Sequence, residues 1–130
     1  MREVDSIEIS TAAGCVGDFR GKPGARQVTV LASEAWQTSC QELGQQLPWT
    51  ARRANLLVAG IALADSTGCQ LAIGDVVLQI TGETDPCRRM DQTAAGLRQA
   101  LTPDWRGGVC CRVLTGGRIT VGDLARLVSR

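Results

Sequence analysis

Apolar residues recur along this chain with two periods, and the switches between them divide it into elements. Alternation at Ile7 and Ile9 suits a short strand over residues 6–9, and Gln27-Val28-Thr29-Val30-Leu31 reads as a half-buried strand. At Ser33 the period lengthens. Trp36, Cys40, Leu43 and Leu47 follow helical spacing, with Ser33 as the cap, Gly44 fraying the end and Pro48 closing the segment. These four side chains are core positions. Residues 55–63 read as strand, turn and strand, and residues 71–80 as two strand-like pieces bent at Gly74-Asp75. Residues 109–114, the turn Thr115-Gly116-Gly117 and residues 118–121 make a hairpin pattern. Between these β regions Met90, Ala94, Leu97 and Leu101 mark one face of a helix over residues 87–101, divided by Gly96. Val121-Gly122-Asp123 echoes Ile73-Gly74-Asp75, which predicts two similar strand-turn units within one barrel-like sheet.

Composition narrows the partners. The 130 residues, 44% of them hydrophobic, suit one compact domain over residues 1–130. Fourteen basic and thirteen acidic residues are spread along the chain, so a net charge of +1 leaves no footprint for nucleic acid or an anionic membrane. Met1-Arg2-Glu3-Val4-Asp5 is polar, with no apolar signal core after it and no run near the ~20 residues that span a bilayer. The cytoplasm is the expected location. The six cysteines include no C-x-x-C pair, and adjacent Cys110 and Cys111 suit a disulfide framework poorly, so they read as reduced thiols. The absence of histidine removes Ser-His-Asp and Cys-His catalysis and His-ligated zinc. Chemistry here must rest on cysteine, arginine, carboxylates, backbone donors or a cofactor.

Cys87, in Thr81-Gly82-Glu83-Thr84-Asp85-Pro86-Cys87-Arg88-Arg89-Met90-Asp91, is the reactive candidate. Asp before Pro marks a helix start, which puts Cys87 in the first turn, where free N–H groups, the helix dipole, Arg88 and Arg89 favour a thiolate. A glycine-bearing loop over residues 12–24 carries Arg20 and Lys22 for an anionic ligand. It fails as a nucleotide loop, with Val16 at the first glycine position and Pro23 at the magnesium-binding hydroxyl. Arg52 and Arg53 followed by Asn55 form a second candidate anion site. Arg106-Gly107-Gly108 delivers a further arginine ahead of a strand holding Cys110, Cys111 and Arg112. Alternation puts the two thiols on opposite faces, one of them in the core, and leaves open which.

Taken in order, these motifs resemble the MOSC family, named for the C-terminal domain of molybdenum cofactor sulfurases, in a short stand-alone form. The likeness runs through Gly17-Asp18 with residues 26–31, residues 55–58 with Gly60-Ile61, residues 71–76, Thr81-Gly82 with Pro86-Cys87, and Arg106-Gly107-Gly108-Val109 with Arg112-Val113-Leu114. It implies a mostly β, barrel-like fold with a few helices. It also implies a cysteine, matched by Cys87, that carries sulfur as a persulfide or coordinates molybdenum in the molybdopterin cofactor. Many relatives place histidines in the first glycine loop, where this chain has Arg20 and Ala25. Arginine forks bind oxyanions bidentately, so Arg106, Arg112, Arg53 with Asn55, and Arg88 are the expected cofactor contacts, with Arg20 in the loop and Asp91 as support.

The function expected is thus a domain that binds molybdenum cofactor or carries its sulfur, with a sulfur donor or acceptor protein as partner. One alternative is a molybdenum-dependent reductase of N-hydroxylated compounds with a redox partner. Another is a non-catalytic barrel for protein contacts. Neither zinc nor pyridoxal phosphate is expected.

Overall fold

The computed structural model describes residues 3–17 and 23–128. Among the described residues nine strands run in the order β1 (Ser6–Ser10), β2 (Gly14–Cys15), β3 (Val28–Ala32), β4 (Leu56–Val58), β5 (Gln70–Ile73), β6 (Val76–Glu83), β7 (Val109–Thr115), β8 (Gly117–Thr120) and β9 (Ala125–Val128). Three helices, α1 (Ser33–Leu43), α2 (Arg89–Thr93) and α3 (Leu97–Leu101), and two 3-10 turns, Trp49–Arg52 and Pro103–Trp105, complete the described elements.

The strands form a curled six-stranded sheet, ordered β4-β3-β7-β6-β5-β9, and a three-stranded sheet, ordered β2-β1-β8. Strands β3 and β4 pair in parallel, and every other recorded pairing is antiparallel. This is the mostly β, barrel-like architecture expected. Ile9, Val28, Val30, Leu71, Leu78, Ile80, Val109 and Cys111 fill the core that joins the sheets, as strand alternation requires. A second cluster packs α1, α2 and α3 on the other face of the large sheet through Leu31, Trp36, Cys40, Met90, Leu97 and Leu101. Among the described residues no helix is long and apolar enough to cross a membrane.

Several local expectations change. Strands β7 and β8 are not a hairpin: β7 lies in the large sheet, whereas β8 pairs with β1, Ile9 opposite Gly117. Gly116 turns this corner against β1, where a Cβ would sit 2.5 Å from the Ile9 carbonyl. The double glycine therefore serves close passage between sheets and not a tight turn. Residues 59–63 form no second strand. Glu34 accepts the Gly60 N–H at 2.9 Å, and Leu63 is buried from a loop.

Ser33 is the first residue of α1 and not its cap; Ala32 holds that position, while Gly44 ends the helix in the left-handed region at φ 73°. The helix foreseen over residues 87–101 is two short ones. Ala94 is extended, and Gly96, at φ 87°, starts α3. The two Gly-Asp echoes lie side by side, the Gly74 N–H donating to the Leu124 carbonyl at 3.1 Å. They are not equivalent units. The first joins paired strands β5 and β6, and the second links β8 and β9 in different sheets.

Gly108 shows how tightly the large sheet is built. It sits at φ 95°, and a Cβ there would collide with the Val30 carbonyl; Gly122, at φ 98°, faces open space. Gly108→Ala is expected to destabilise the fold by about 3 kcal/mol, combining backbone strain with overpacking. Gly122→Ala carries strain alone and is expected to cost about 1 kcal/mol. Urea unfolding midpoints of the two variants check the contrast.

Candidate functional site

Strand β6 pairs with β7 to its last residue, Glu83 opposite Val109, and the Thr84 N–H extends the ladder to the Gly108 carbonyl at 2.9 Å. The chain then leaves the sheet as an irregular segment, residues 84–87, before α2. The Met90 N–H donates to the Cys87 carbonyl at 2.9 Å, and Arg88 takes the position ahead of the helix. Cys87 thus precedes the first turn. Asp85 caps nothing and instead shares a hydrogen bond with Glu83. With α2 five residues long, the helix-dipole explanation for a reactive Cys87 is replaced by another cation.

That cation is Arg52, at the end of the first 3-10 turn and 8% exposed. Its Nε donates to the Gly107 carbonyl and its Nη2 to the Thr84 carbonyl, both at 3.1 Å, and its Nη1 meets Met90 Sδ at 3.7 Å. One side chain therefore ties together the residues before Cys87, the helix after it and the glycine pair ahead of β7. Gly107 permits the approach: a Cβ there would lie 2.7 Å from the Thr84 carbonyl and 3.1 Å from Arg52 Nη2. Burial pushes the guanidinium below its ordinary value, the Cys87 and Cys110 thiols push it back up, and the Arg26 charge lowers it. An arginine remains a cation under all of these influences. Its positive charge therefore persists where Thr84, Met90 and Gly107 meet.

Cys87 is the exposed thiol among the six cysteines; Cys69 is half-buried and the other four are buried. Cys110 and Cys111 are both buried and face opposite ways. Cys111 lies in the core between the sheets, where burial, with a smaller contribution from Cys110, pushes its thiol up to about 12. Cys110 lies on the opposite face of β7, still buried, its Sγ in hydrogen-bond contact with Thr84 Oγ1 at 3.2 Å. Beside it the β6–β7 register slips between Ile80 and Gly82, a bulge that turns out Thr81. The Thr81 hydroxyl sits between the carbonyls of Ala25 and Cys110.

A cavity of about 800 Å³ opens elsewhere, lined by Ile7, Cys15, Leu56, Val58 and Ile119 among others, and not by Cys87. Among the described residues no group of three His, Cys, Asp or Glu is arranged to hold a metal.

A family model described as the MOSC domain matches residues 16–126. The chain belongs to the MOSC domain family, which is related to molybdenum cofactor sulfurase. Three solved structures share the fold. The YUAD protein from Bacillus subtilis is 19% identical, with 99% of this chain and 87% of that one covered at a TM-score of 0.84. YiiM from Escherichia coli is 19% identical, covering 99% of this chain and 65% of its own at 0.78. YiiM from Geobacillus stearothermophilus is 20% identical, covering 98% and 63% at 0.76. This MOSC domain therefore spans less than two thirds of either YiiM chain. No curated protein sequence matches it.

The arginines expected around Cys87 have different employments in the MOSC domain. Arg106 grips Glu42 through both terminal nitrogens at 2.9 Å and donates to the Ala100 carbonyl at 3.0 Å, joining α1 to α3. Asn55 Oδ1 accepts the Thr29 N–H at 2.9 Å and the Thr29 hydroxyl at 3.1 Å, which pins β4 to β3. Asp91 accepts the Arg98 N–H at 3.1 Å, linking α2 to α3. Arg88 is exposed beside Cys87, Arg53 is exposed in the left-handed region at φ 65°, and Arg112 is exposed on β7. Alternation puts Arg112 on the same strand face as Cys110. Arg20 and Lys22 lie outside the described residues.

The structure adds Arg52, which holds the chain before and after Cys87, and Thr84, which touches Cys110. The sequence signal for Arg52 was the pair Arg52-Arg53, but no periodicity says which arginine of a single 3-10 turn faces inward.

Arg52→Met leaves two buried carbonyls without their charged donor and is expected to cost about 2–3 kcal/mol of stability. It also removes the positive potential that draws anions to Cys87, so alkylation by iodoacetate slows several-fold while Arg53→Met leaves both properties near wild type. Unfolding midpoints and labelling rates check this.

Glu83 gives a pH dependence of opposite sign to an ordinary ion pair. Burial first, then the charge of Asp85 and a hydrogen bond with it, and the charge of Asp65, raise its carboxyl above the usual range. The folded chain then holds this proton more tightly than the unfolded chain. The stability so gained is full below the ordinary carboxylate value and is lost as pH rises through the raised one. Glu83→Gln is expected to raise the unfolding midpoint at pH 7, with the gain shrinking in acid.

Proposed function

We propose that this MOSC domain serves the molybdenum cofactor through Cys87, whose thiol carries a sulfur atom for it. The single observation behind this reading is that the one exposed thiol lies on a segment that a buried cation holds at Thr84 before it and at Met90 after it. Loading is a thiol exchange. A persulfide on a donor protein passes its outer sulfur to Cys87, forming the Cys87 persulfide and returning the donor as a thiol. The Arg52 charge stabilises negative charge that develops on sulfur in such a transfer.

The residues fit the cofactor itself in donor chemistry. Cys87 offers a soft sulfur ligand, and the exposed guanidinium groups of Arg88 and Arg112 offer forks for its phosphate and oxygens. When bound, molybdenum supplies a redox-active centre. The chain's own part is to present one thiol next to the exposed Arg88 and to hold the chain before and after it through Arg52.

Treatment with inorganic polysulfide, followed by intact-mass and peptide analysis, is expected to add one sulfur to wild type at Cys87 and none there in Cys87→Ala. Protein made in a cofactor-competent host is expected to carry molybdenum in proportion to intact Cys87. Equal sulfur and equal molybdenum on Cys87→Ala would end this reading.

A further inference from the structure

Cys110 and the segment that carries Cys87 meet at Thr84. Thr84 touches Cys110 Sγ at 3.2 Å through its hydroxyl, gives its carbonyl to Arg52 at 3.1 Å, and lies three residues ahead of Cys87 in an irregular segment. Opposite Cys110 on β6 stands Gly82, and a Cβ there would meet nothing within 4 Å, so space lies open next to the buried sulfur. No other thiol shares this setting: Cys111 faces the core, Cys15 belongs to the same core, Cys40 is packed among the helices, and Cys69 adjoins β5. Arg52 holds that segment at Thr84 ahead of Cys87 and at Met90 after it. An exposed thiol on an irregular segment and a buried thiol touched by that same segment form the arrangement of an attacking and a resolving cysteine.

We propose that Cys110 is the resolving thiol of the site, releasing sulfur from a Cys87 persulfide as hydrosulfide and leaving a Cys87–Cys110 disulfide. The releasing step rests on the carrier reading above. The Cys110 sulfur attacks Cys87 Sγ, and the bond between Cys87 Sγ and the outer sulfur breaks. The outer sulfur leaves with the bonding pair and takes up the proton that Cys110 loses. The outer sulfur is reduced, the two cysteines become oxidised by the same two electrons, and a thiol reductant restores the dithiol for the next cycle. A disulfide requires the two sulfurs about 2 Å apart, so Thr84 must give up its contact with Cys110 and residues 84–88 must close over the strand. The negative charge on the departing hydrosulfide develops beside Arg52.

Two measurements on the full chain test this. In the first, reduced protein without added sulfur receives one equivalent of diamide, which takes two electrons and two protons from a thiol pair and becomes the hydrazine. Peptide mapping is expected to recover Cys87 joined to Cys110, and neither Cys110→Ser nor Cys110→Ala forms an intramolecular link from Cys87. In the second, protein loaded with polysulfide and freed of excess reagent is assayed for sulfide. Wild type releases it without added thiol, whereas both Cys110 variants keep the persulfide and release several-fold less until dithiothreitol is supplied. Unfolding midpoints select whichever variant remains folded.

Equal release by wild type and the folded variant, with Cys87 loaded in both, overturns the proposal and leaves the carrier reading standing. Failure of Cys87 to take sulfur at all ends the carrier reading and the releasing step together. The diamide measurement then decides the thiol pair alone, and a Cys87 that links to another cysteine, or to none, overturns it.

Discussion

One buried guanidinium holds the site together, and its partners determine what it can do. Arg52 has three neutral acceptors, the carbonyls of Thr84 and Gly107 and the sulfur of Met90, and no ion pair among the described residues. Hydrogen bonds from a charged donor are worth about 1.5–3 kcal/mol each, enough to offset much of the cost of burying the head group. A carboxylate partner would have cancelled the charge locally. Carbonyls satisfy the donors and leave the positive charge uncancelled beside the segment that carries Cys87. The same contacts that stabilise the fold thereby create an electropositive setting for sulfur.

The other supports all allow the backbone to come near enough for that clamp to close. Gly107 lets Thr84 and Arg52 approach, and Gly108 lets β7 lie against the Val30 carbonyl. Arg106, next to them, reaches the other way and fastens this corner to α1 and α3. The bulge at Thr81 adds an anchor to Ala25 and offsets the register so that a glycine, not a side chain, stands opposite Cys110. Arg106-Gly107-Gly108 and Thr81-Gly82 read as ligand-bearing motifs in one dimension. In three dimensions much of their chemistry is the geometry under Cys87.

Much of this fold is legible in the sequence because burial imposes period. The strands over residues 27–31, 71–80 and 109–114 and the apolar face of Met90, Ala94, Leu97 and Leu101 follow from alternation and helical spacing. What period does not encode is which sheet a strand joins. Residues 118–121 look like a hairpin return to residues 109–114, yet the glycine corner sends them to β1, a decision made by contact with the distant Ile9 carbonyl. The site divides in the same way. Cys87 stands out locally, beside a proline and two arginines, whereas Arg52 looks no different from Arg53. Only the packing of its 3-10 turn beneath β7 and α2 separates a structural cation from a solvated one.

The mechanical design of residues 84–88 follows from where the clamp acts. Arg52 seizes the Thr84 carbonyl at one end and Met90 just past the other, and leaves residues 85–88 outside strand and helix. Segments with few buried contacts and fixed ends open at low free-energy cost while the surrounding sheet stays shut. A rigid strand would present Cys87 to a partner but could not bring it toward Cys110. A loop without the clamp would reach Cys110 but would not keep its thiol beside a cation. Holding the ends and freeing the middle meets both requirements, and it places the control of motion on the Thr84 hydroxyl, which must leave Cys110 before the two sulfurs can meet.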